Sequence, residues 1–468
     1  MMPTDEDSLS ALETAALLYL IAPMLVFFAA FVRIEAAVPA CALIALLIYR
    51  MLRRTMWQRA DDLWRWESLY LFVLAVVWLC WLDGIGPLKT NGGWFKHYAV
   101  LNFLVTHSWP PETHLVGADG FSLRYYLGWY LIPSLVLKFT DFALQQYALL
   151  TWSIAGLYLL LRLMAEGARK IWMVLVLPLA FATFGGADFF GNLLLRHEAD
   201  PLQFVEWWAG WIQYSSITNA LAWVPQHVIP AWLGARLLMR ATDRRGLSRF
   251  CLPLLCAVSL WSPFSAVGLL PFALALTLKS SSRSGVLEWP GMLSVLVLAV
   301  PIGLYFASGS SDVPHGFIWN LPCTTTLPCF SWPGYVLFIF FEIGAPLAIL
   351  FLMVEEPHPF LKVAAITLCV IPLYKVGINN DFGMRASLPA IAILAMFCAR
   401  ALATAKRRAA LSMLAVLVAA MPQLYFALAT PIVDPIDAGA DARFAEDFRV
   451  RTDFLTQYFA PSPVWILR

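Results

Sequence analysis

The chain has 468 residues, of which 60% are hydrophobic and 13% charged, and a net charge of +2 at neutral pH. Soluble domains carry nearer to about 25% charged residues, so this composition excludes a soluble globular protein, and the small net charge gives no reason to expect a nucleic-acid partner. Apolar runs of roughly 20 residues recur, the length a helix needs to cross a hydrocarbon core of about 30 Å. Alternating strands of about 10 residues are absent, which excludes a transmembrane barrel.

In chain order, the opening MMPTDEDSLSALETA is acidic and polar. A cleavable signal peptide begins with basic residues, so the first helix reads as a retained anchor. Candidate spans follow at 14–32, 36–51, 67–82, 124–139, 145–163, 171–184, 218–238, 251–278, 287–307, 333–354, 361–376, 386–400 and 409–428. The expected fold is therefore an all-α polytopic bundle of about thirteen transmembrane segments. Residues 1–66 form an N-terminal helical hairpin and basic cytoplasmic loop, 67–430 the main bundle, and 431–468 an outer tail.

Lys and Arg set the orientation, because cytoplasmic loops are enriched in both. Arg50, Arg53, Arg54, Arg59 and Arg65 mark one inside loop, and Arg240, Arg244, Arg245 and Arg249 a second. Lys279 and Arg283 mark a third, and Arg400, Lys406, Arg407 and Arg408 a fourth. The outer loops are then 83–123, 185–217, 308–332 and 377–385, with the N-terminus inside and the C-terminus outside. Three segments between loops 83–123 and 185–217 conflict in parity with that assignment. Either one is re-entrant, or part of 202–217 (LQFVEWWAGWIQYSSI) dips into the membrane. The run 251–278 begins and ends inside and holds WSPFS at its middle, so it reads as two half-helices broken at Pro263.

The 20 Trp and 15 Tyr are unusually many; an interfacial belt is the plainer reading for any one of them, but Trp94, Trp109, Trp207, Trp208, Trp211, Trp223, Trp319 and Trp332 fall in polar loops where aromatic faces can stack on sugars or shield a prenyl chain. Of the eight Cys, six lie in apolar runs as packing residues. Cys323 and Cys329, in PCTTTLPC, fit a disulfide in an oxidising compartment.

The segment 83–126 is the densest in chemistry. Asp83 ends an apolar run, where a carboxylate can serve as a general base toward an attacking hydroxyl; the plainer reading is a helix-end acid in water. Lys96 and His97, in GGWFKHYAVLNFLV, lie on an expected amphipathic helix along the outer surface, within reach of a lipid-linked phosphate. The rival for Lys96 is snorkelling. Glu112 follows the rigid WPP corner and Asp119 precedes the next span; each is a second candidate base or a solvated loop acid. Arg124, Tyr125 and Tyr126 open that span as interfacial anchors or as contacts to phosphate or sugar. Loop 185–217 adds Arg196, His197, Glu198, Asp200 and Glu206. Gln226 and His227, in WVPQH, are intramembrane polar groups of the sort that face a cavity. In KVGINNDFGMR, Lys375, Asp381 and Arg385 suit a phosphate or pyrophosphate, with an Asp381–Arg385 ion pair as the rival. His107 and His114 have no ligand-like spacing, and no P-loop, GxGxxG or HExxH is present.

The stretch WFKHYAVLNFL…WPPE…LRYYLGWYLIPSLVLKF resembles the first large outer loop and following helix of the GT-C superfamily of polytopic membrane glycosyltransferases, and of related bacterial membrane proteins marked by a tyrosine pair at that helix. NDFGMRASLPA and WVPQH are similar to later segments of that group, so the resemblance is scattered over about residues 67–400. It implies roughly a dozen helices and an active site on the outer face of a bacterial inner membrane. It implies a polyprenyl-phosphate-linked sugar as donor and a glycan, lipid or protein as acceptor. Asp83, then Glu112 or Asp119, is the implied base for inverting transfer. Lys96, His97, Arg124, Tyr125, Tyr126, His227, Asp381 and Arg385 are the implied substrate-binding residues. Gly92 and Gly93 stand where such enzymes are expected to carry an acid. No resident cofactor is implied, although outer-loop acids can hold a divalent cation. The other function class compatible with these residues is a non-enzymatic binder or flippase of lipid-linked glycans.

Overall fold

The computed structural model describes residues 7–56, 65–82, 95–113, 121–168, 170–197, 200, 204–307, 315–320, 330–354, 357–377, 380–433 and 459–461. Seven of its helices are long and apolar enough to cross a bilayer: Ala11–Phe31, Ile34–Arg54, Gln145–Ala165, Ile171–Arg196, Trp289–Ala307, Trp332–Met353 and Asp381–Thr404. The pair Arg407–Ala419 and Met421–Ala429, bent by 43° at its break, makes an eighth if it is one span. Trp66–Trp81, Cys251–Trp261, Pro263–Leu278 and Pro359–Leu373 are shorter apolar helices. The chain is thus an all-α, multi-pass membrane protein. Each of the expected segments carries helix, but only seven or eight have the length and apolarity of a full crossing.

Local chemistry explains the helix boundaries. Ser10 caps the first helix in a capping box: the Glu13 N–H donates to Ser10 Oγ at 3.1 Å, and Ser10 N–H donates to Glu13 Oε2 at 2.8 Å. The break expected at Pro263 is present. Cys251–Trp261 stops at Ser262, whose hydroxyl accepts from the Ser265 N–H and caps Pro263–Leu278. The span expected at 218–238 is likewise divided, into Ile217–Trp223 and Pro225–Ala241.

The core gathers around the first helix and the helix Leu388–Thr404, whose Ala390, Ala392, Ile393, Leu394 and Ala395 are fully buried. Tyr19 stacks on Trp152 at 4.2 Å, and Trp152 stacks in turn on Trp261. On the outside, Leu69, Leu296, Val336, Leu352 and Ile366 stand exposed, an apolar surface suited to lipid.

The basic segments meet at one end of the bundle. Strand Leu9–Ser10 pairs in parallel with Thr55–Met56 beside the second helix. Arg240 and Arg244 reach Glu13 at 2.6 and 3.3 Å, Arg249 reaches Asp7, and Arg50 reaches Glu288. Strand Phe121–Leu123 pairs on one edge with Glu112–Thr113 and on the other with Phe459–Pro461, so the C-terminal segment joins the first large loop. Strand His315–Phe317 pairs with Tyr374–Val376.

The helix Phe95–Thr106 packs one face, His97, Val100, Leu101 and Leu104, fully buried against the bundle. One expectation changes. The loop 185–217 is no open outer loop. Its first part is the helix Asp188–Arg196, and residues 204–216 form an irregular segment with Glu206, Trp208, Ile212 and Tyr214 buried. Irregular backbone is tolerated at such depth only where protein surrounds it.

Candidate functional site

Four segments far apart in sequence meet around Tyr126. The His227 ring sits edge-on to it at 4.7 Å, Phe306 lies at 5.9 Å, and the Arg385 guanidinium stands over its face at 5.7 Å. Arg385 also donates to Asp381 at 2.9 Å, with side chains 12% and 18% exposed, so the expected ion pair forms. Burial pushes the Tyr126 hydroxyl above its usual range, and Arg385 acts in the opposite sense.

Backbone detail holds Asp381 in place. Asn380 takes the left-handed conformation that Asn tolerates best among non-glycine residues, caps the helix Asp381–Ala386 by accepting from the Gly383 N–H, and donates to the Trp211 carbonyl. Gly377 has a φ of +85°, and a Cβ there would stand 2.7 Å from Asp381 Oδ2. Lys375 lies in the adjoining strand, and burial lowers its ammonium from the usual range.

His227 is fully buried, and its Nδ1 pairs with Ser262 Oγ at 2.8 Å. Ser262 Oγ also accepts from the Ser265 N–H, so the hydroxyl ties the His227 ring to the start of the next helix. Beside it, Gln226 is fully buried and neither atom of its amide has a hydrogen-bond partner. Such an amide costs about 1–3 kcal/mol unless a ligand or water satisfies it.

Arg124 and Tyr125 belong to a neighbouring knot. The Arg124 guanidinium lies 5.1 Å from the Tyr305 ring and donates to the Leu123 carbonyl, and burial lowers its ionisation from the usual range. The Tyr305 hydroxyl accepts from the Tyr125 N–H at 3.1 Å and lies 3.0 and 3.2 Å from the Leu123 and Tyr125 carbonyls. This knot sets the direction in which Tyr126 leaves the strand. His97 is elsewhere: its Nδ1 pairs with the Tyr130 hydroxyl, and its ring meets Trp129 edge-on. It is fully buried among these aromatic residues.

Of the three candidate bases, only Glu112 is among the described residues, exposed in the strand pair. Asp83 and Asp119 lie outside them, as do Cys323 and Cys329, and of Lys96 only the helical backbone is described. The structure therefore brings Tyr126, His227, Asp381 and Arg385 together, sets Arg124 and Tyr125 beside them, and separates His97.

A second polar centre was foreseen only through Glu206. Asp188, Glu342 and Gln423 are buried with it, at 0%, 2% and 1% exposure. The Trp208 indole N–H is shared between Asp188 Oδ1 at 3.1 Å and Glu342 Oε1 at 3.0 Å. Gln423 Nε2 donates to Asp188 Oδ2 at 2.7 Å. Glu342 lies in a π-helical turn, Phe340–Gly344, whose Phe341 carbonyl accepts from the Ala187 N–H. π-turns inside helices recur at functional sites. Glu206 accepts from Ser216 N–H, Ser216 Oγ, Asn219 and Gln213, yet burial and then the Asp188 charge push its carboxyl up to about 7. The signal available in the sequence was Glu342, the one charged residue in WPGYVLFIFFEIGAPLAILFLM. Among the described residues no group of three His, Cys, Asp or Glu side chains is arranged to hold a metal ion.

Two shallow clefts of about 460 and 400 Å³ lie away from both centres, lined by Lys406–Ala409 with Leu352 and Met353, and by Leu278, Arg283, Ser284 and Leu287. No family model, curated protein or solved structure matches this chain.

Proposed function

We propose that this protein is a GT-C-like membrane glycosyltransferase that moves a sugar from a polyprenyl-phosphate carrier to an acceptor hydroxyl on the outer face of a bacterial inner membrane. The observation that carries this reading is the meeting of Tyr126, His227 and Arg385, from three distant segments. Aromatic faces suit a sugar or prenyl chain, and a guanidinium suits a phosphate. The orientation is supported by the basic segments that gather with the N-terminal strand, and by the C-terminal strand paired to the first large loop. Trp66–Trp81, the broken pair Cys251–Trp261 and Pro263–Leu278, Pro359–Leu373, Gly128–Lys138 and the divided Ile217–Trp223 and Pro225–Ala241 would bring the eight toward the expected bundle of about thirteen segments.

In this reading the acceptor oxygen attacks the anomeric carbon and the bond from that carbon to the phosphate oxygen breaks, with inversion. A carboxylate, Asp83 first and Glu112 or Asp119 second, takes the hydroxyl proton. Arg385, Arg124 and Lys96 stabilise the departing phosphate, the electrostatic task of such a site. The test is purified protein in lipid with a labelled polyprenyl-phosphate sugar and a panel of acceptors. Release of polyprenyl phosphate, lost in the triple variant Asp83→Asn, Glu112→Gln, Asp119→Asn, is the expected result. Release that survives the triple variant would falsify the reading. Donor binding without release from any acceptor would make the protein a lipid-linked-glycan binder or flippase instead.

A further inference from the structure

Asp188 and Glu342 raise an electrostatic problem that the transfer chemistry does not use. Both are buried, and a single donor, the Trp208 indole N–H, reaches an oxygen of each. Two ionised carboxylates gathered on one donor away from water repel strongly, and neither carries a proton with which to bond the other. Among the described residues neither has an ion pair. The titratable groups on the elements packed around them are Glu206, Tyr214, Tyr335, Cys369 and Tyr425, with Arg196 and His197 at the far end of the helix that Asp188 begins. Arg196 is engaged with the carbonyls of Trp207 and Trp208.

The hydrogen-bond inventory is short of donors. Glu342 Oε2, Gln423 Oε1, Gln213 Oε1 and Asn219 Oδ1 are all buried acceptors that no N–H or O–H group of another side chain or the backbone satisfies. A proton on Glu342 Oε2 supplies the missing donor and bonds it to Asp188. Asp188 is the better anion, since it accepts from Trp208 and Gln423 and occupies the first turn of Asp188–Arg196. A Cβ at Gly186 would stand 2.2 Å from Glu342 Oε2 and 3.1 Å from Asp188 Oδ2, so that glycine lets the backbone close over the pair. On the other side, a Cβ at Gly185 would stand 2.8 Å from Ser216 Cβ, the residue whose hydroxyl donates to Glu206. One dipeptide thus separates the carboxyl pair from the third acid.

We propose that Asp188 and Glu342 hold a single proton between them at neutral pH and, with Glu206, form a proton-binding site inside the bundle. The site uses none of the residues assigned to glycosyl transfer, so either reading can fail without the other.

The test is infrared spectroscopy of the full-length protein in lipid nanodiscs at neutral pH, in H₂O and D₂O. A carboxylic-acid C=O band that shifts in D₂O and disappears in Glu342→Gln is expected. Glu342→Asp, which keeps a carboxyl, serves if the amide variant does not fold; the band should then move and remain. Absence of any band sensitive to residue 342 at neutral pH overturns the proposal. So does a band that sodium or potassium ions abolish, since the pair would then hold a cation. The second readout is thermal stability against pH. A proton held only in the native state makes the folding equilibrium fall by about tenfold per pH unit across its window, and Glu342→Gln removes one such slope. An unchanged slope in that variant also counts against the proposal.

Discussion

At the Tyr126 junction, Asp381 faces Arg385 at 2.9 Å and the guanidinium rests over an aromatic ring. Behind the Gly185–Gly186 break, Asp188 faces Glu342 with an indole and an amide as the neighbouring donors. Both centres bury acids, but one balances them with a fixed cation and the other with a mobile proton. A fixed cation leaves a site able to recognise an anion at any physiological pH. A proton leaves a site whose charge follows the solution. The comparison therefore separates a recognition site from a titrating one by the identity of the counter-charge alone.

The sharpest way to break this contrast is Arg385→Ala. It leaves Asp381 without its partner and, if the proposed transfer reading holds, removes the cation that meets the phosphate, so polyprenyl-phosphate release should fall by about 100-fold or more. Arg385→Lys should restore part of it, because Lys keeps the charge and loses the planar fork. Full activity in Arg385→Ala would place recognition elsewhere.

Glu206 offers the opposite test. Its folded value of about 7 lies above the ordinary glutamate value of about 4.3, so the native state holds a proton that the unfolded chain releases. That contribution is fully present below about pH 4 and is lost as pH rises through about 7; across the window it is worth about 4 kcal/mol. Unfolding midpoints of the wild type should fall over this range, and those of Glu206→Gln should fall less. Equal profiles would mean that Glu206 is ionised throughout.

Smaller effects test the packing. Gly186→Ala drives a methyl group onto the carboxyl pair and should cost about 1–3 kcal/mol. Gly303→Ala is the control, since a Cβ there meets nothing within 4 Å, and it should be neutral or stabilising by up to about 1 kcal/mol. Thermal shifts of similar size in both would remove the special standing of Gly186. Tyr305→Phe should cost about 1 kcal/mol by freeing the Leu123 and Tyr125 backbone groups, read as faster hydrogen exchange at Tyr125.

Helix placement was legible because apolar runs and prolines report local preferences, as the break at Ser262–Pro263 illustrates. The tyrosine pair, WVPQH and NDFGMR were each visible as polar groups in apolar surroundings. Their convergence was not, because no local spacing relates Tyr126 to His227 or Arg385. For the segment 204–216 the parity of the crossings leaves two readings, a re-entrant span elsewhere or a dip of 202–217 itself, and the burial of Glu206, Trp208, Ile212 and Tyr214 shows that this segment turns inward. Hardest to read was the carboxyl pair, whose shared Trp208 donor lies 134 residues from Glu342 and whose Gln423 donor lies 235 from Asp188.

The Ser10–Glu13 cap has a consequence for the order of assembly. Glu13 is fully buried, and the guanidinium that neutralises it, Arg240, lies 227 residues downstream. At synthesis rates of about 5–20 residues per second, the first helix waits on the order of 10–45 s with an unmatched acid at its end. During that interval the N-terminal hairpin is unfinished, and it locks only when the helix Pro225–Ala241 arrives. The helix Ala11–Phe31 thus settles only once a partner 227 residues downstream has been made, and a nascent chain stalled before Arg240 should leave the Glu13 end of that helix open to protease.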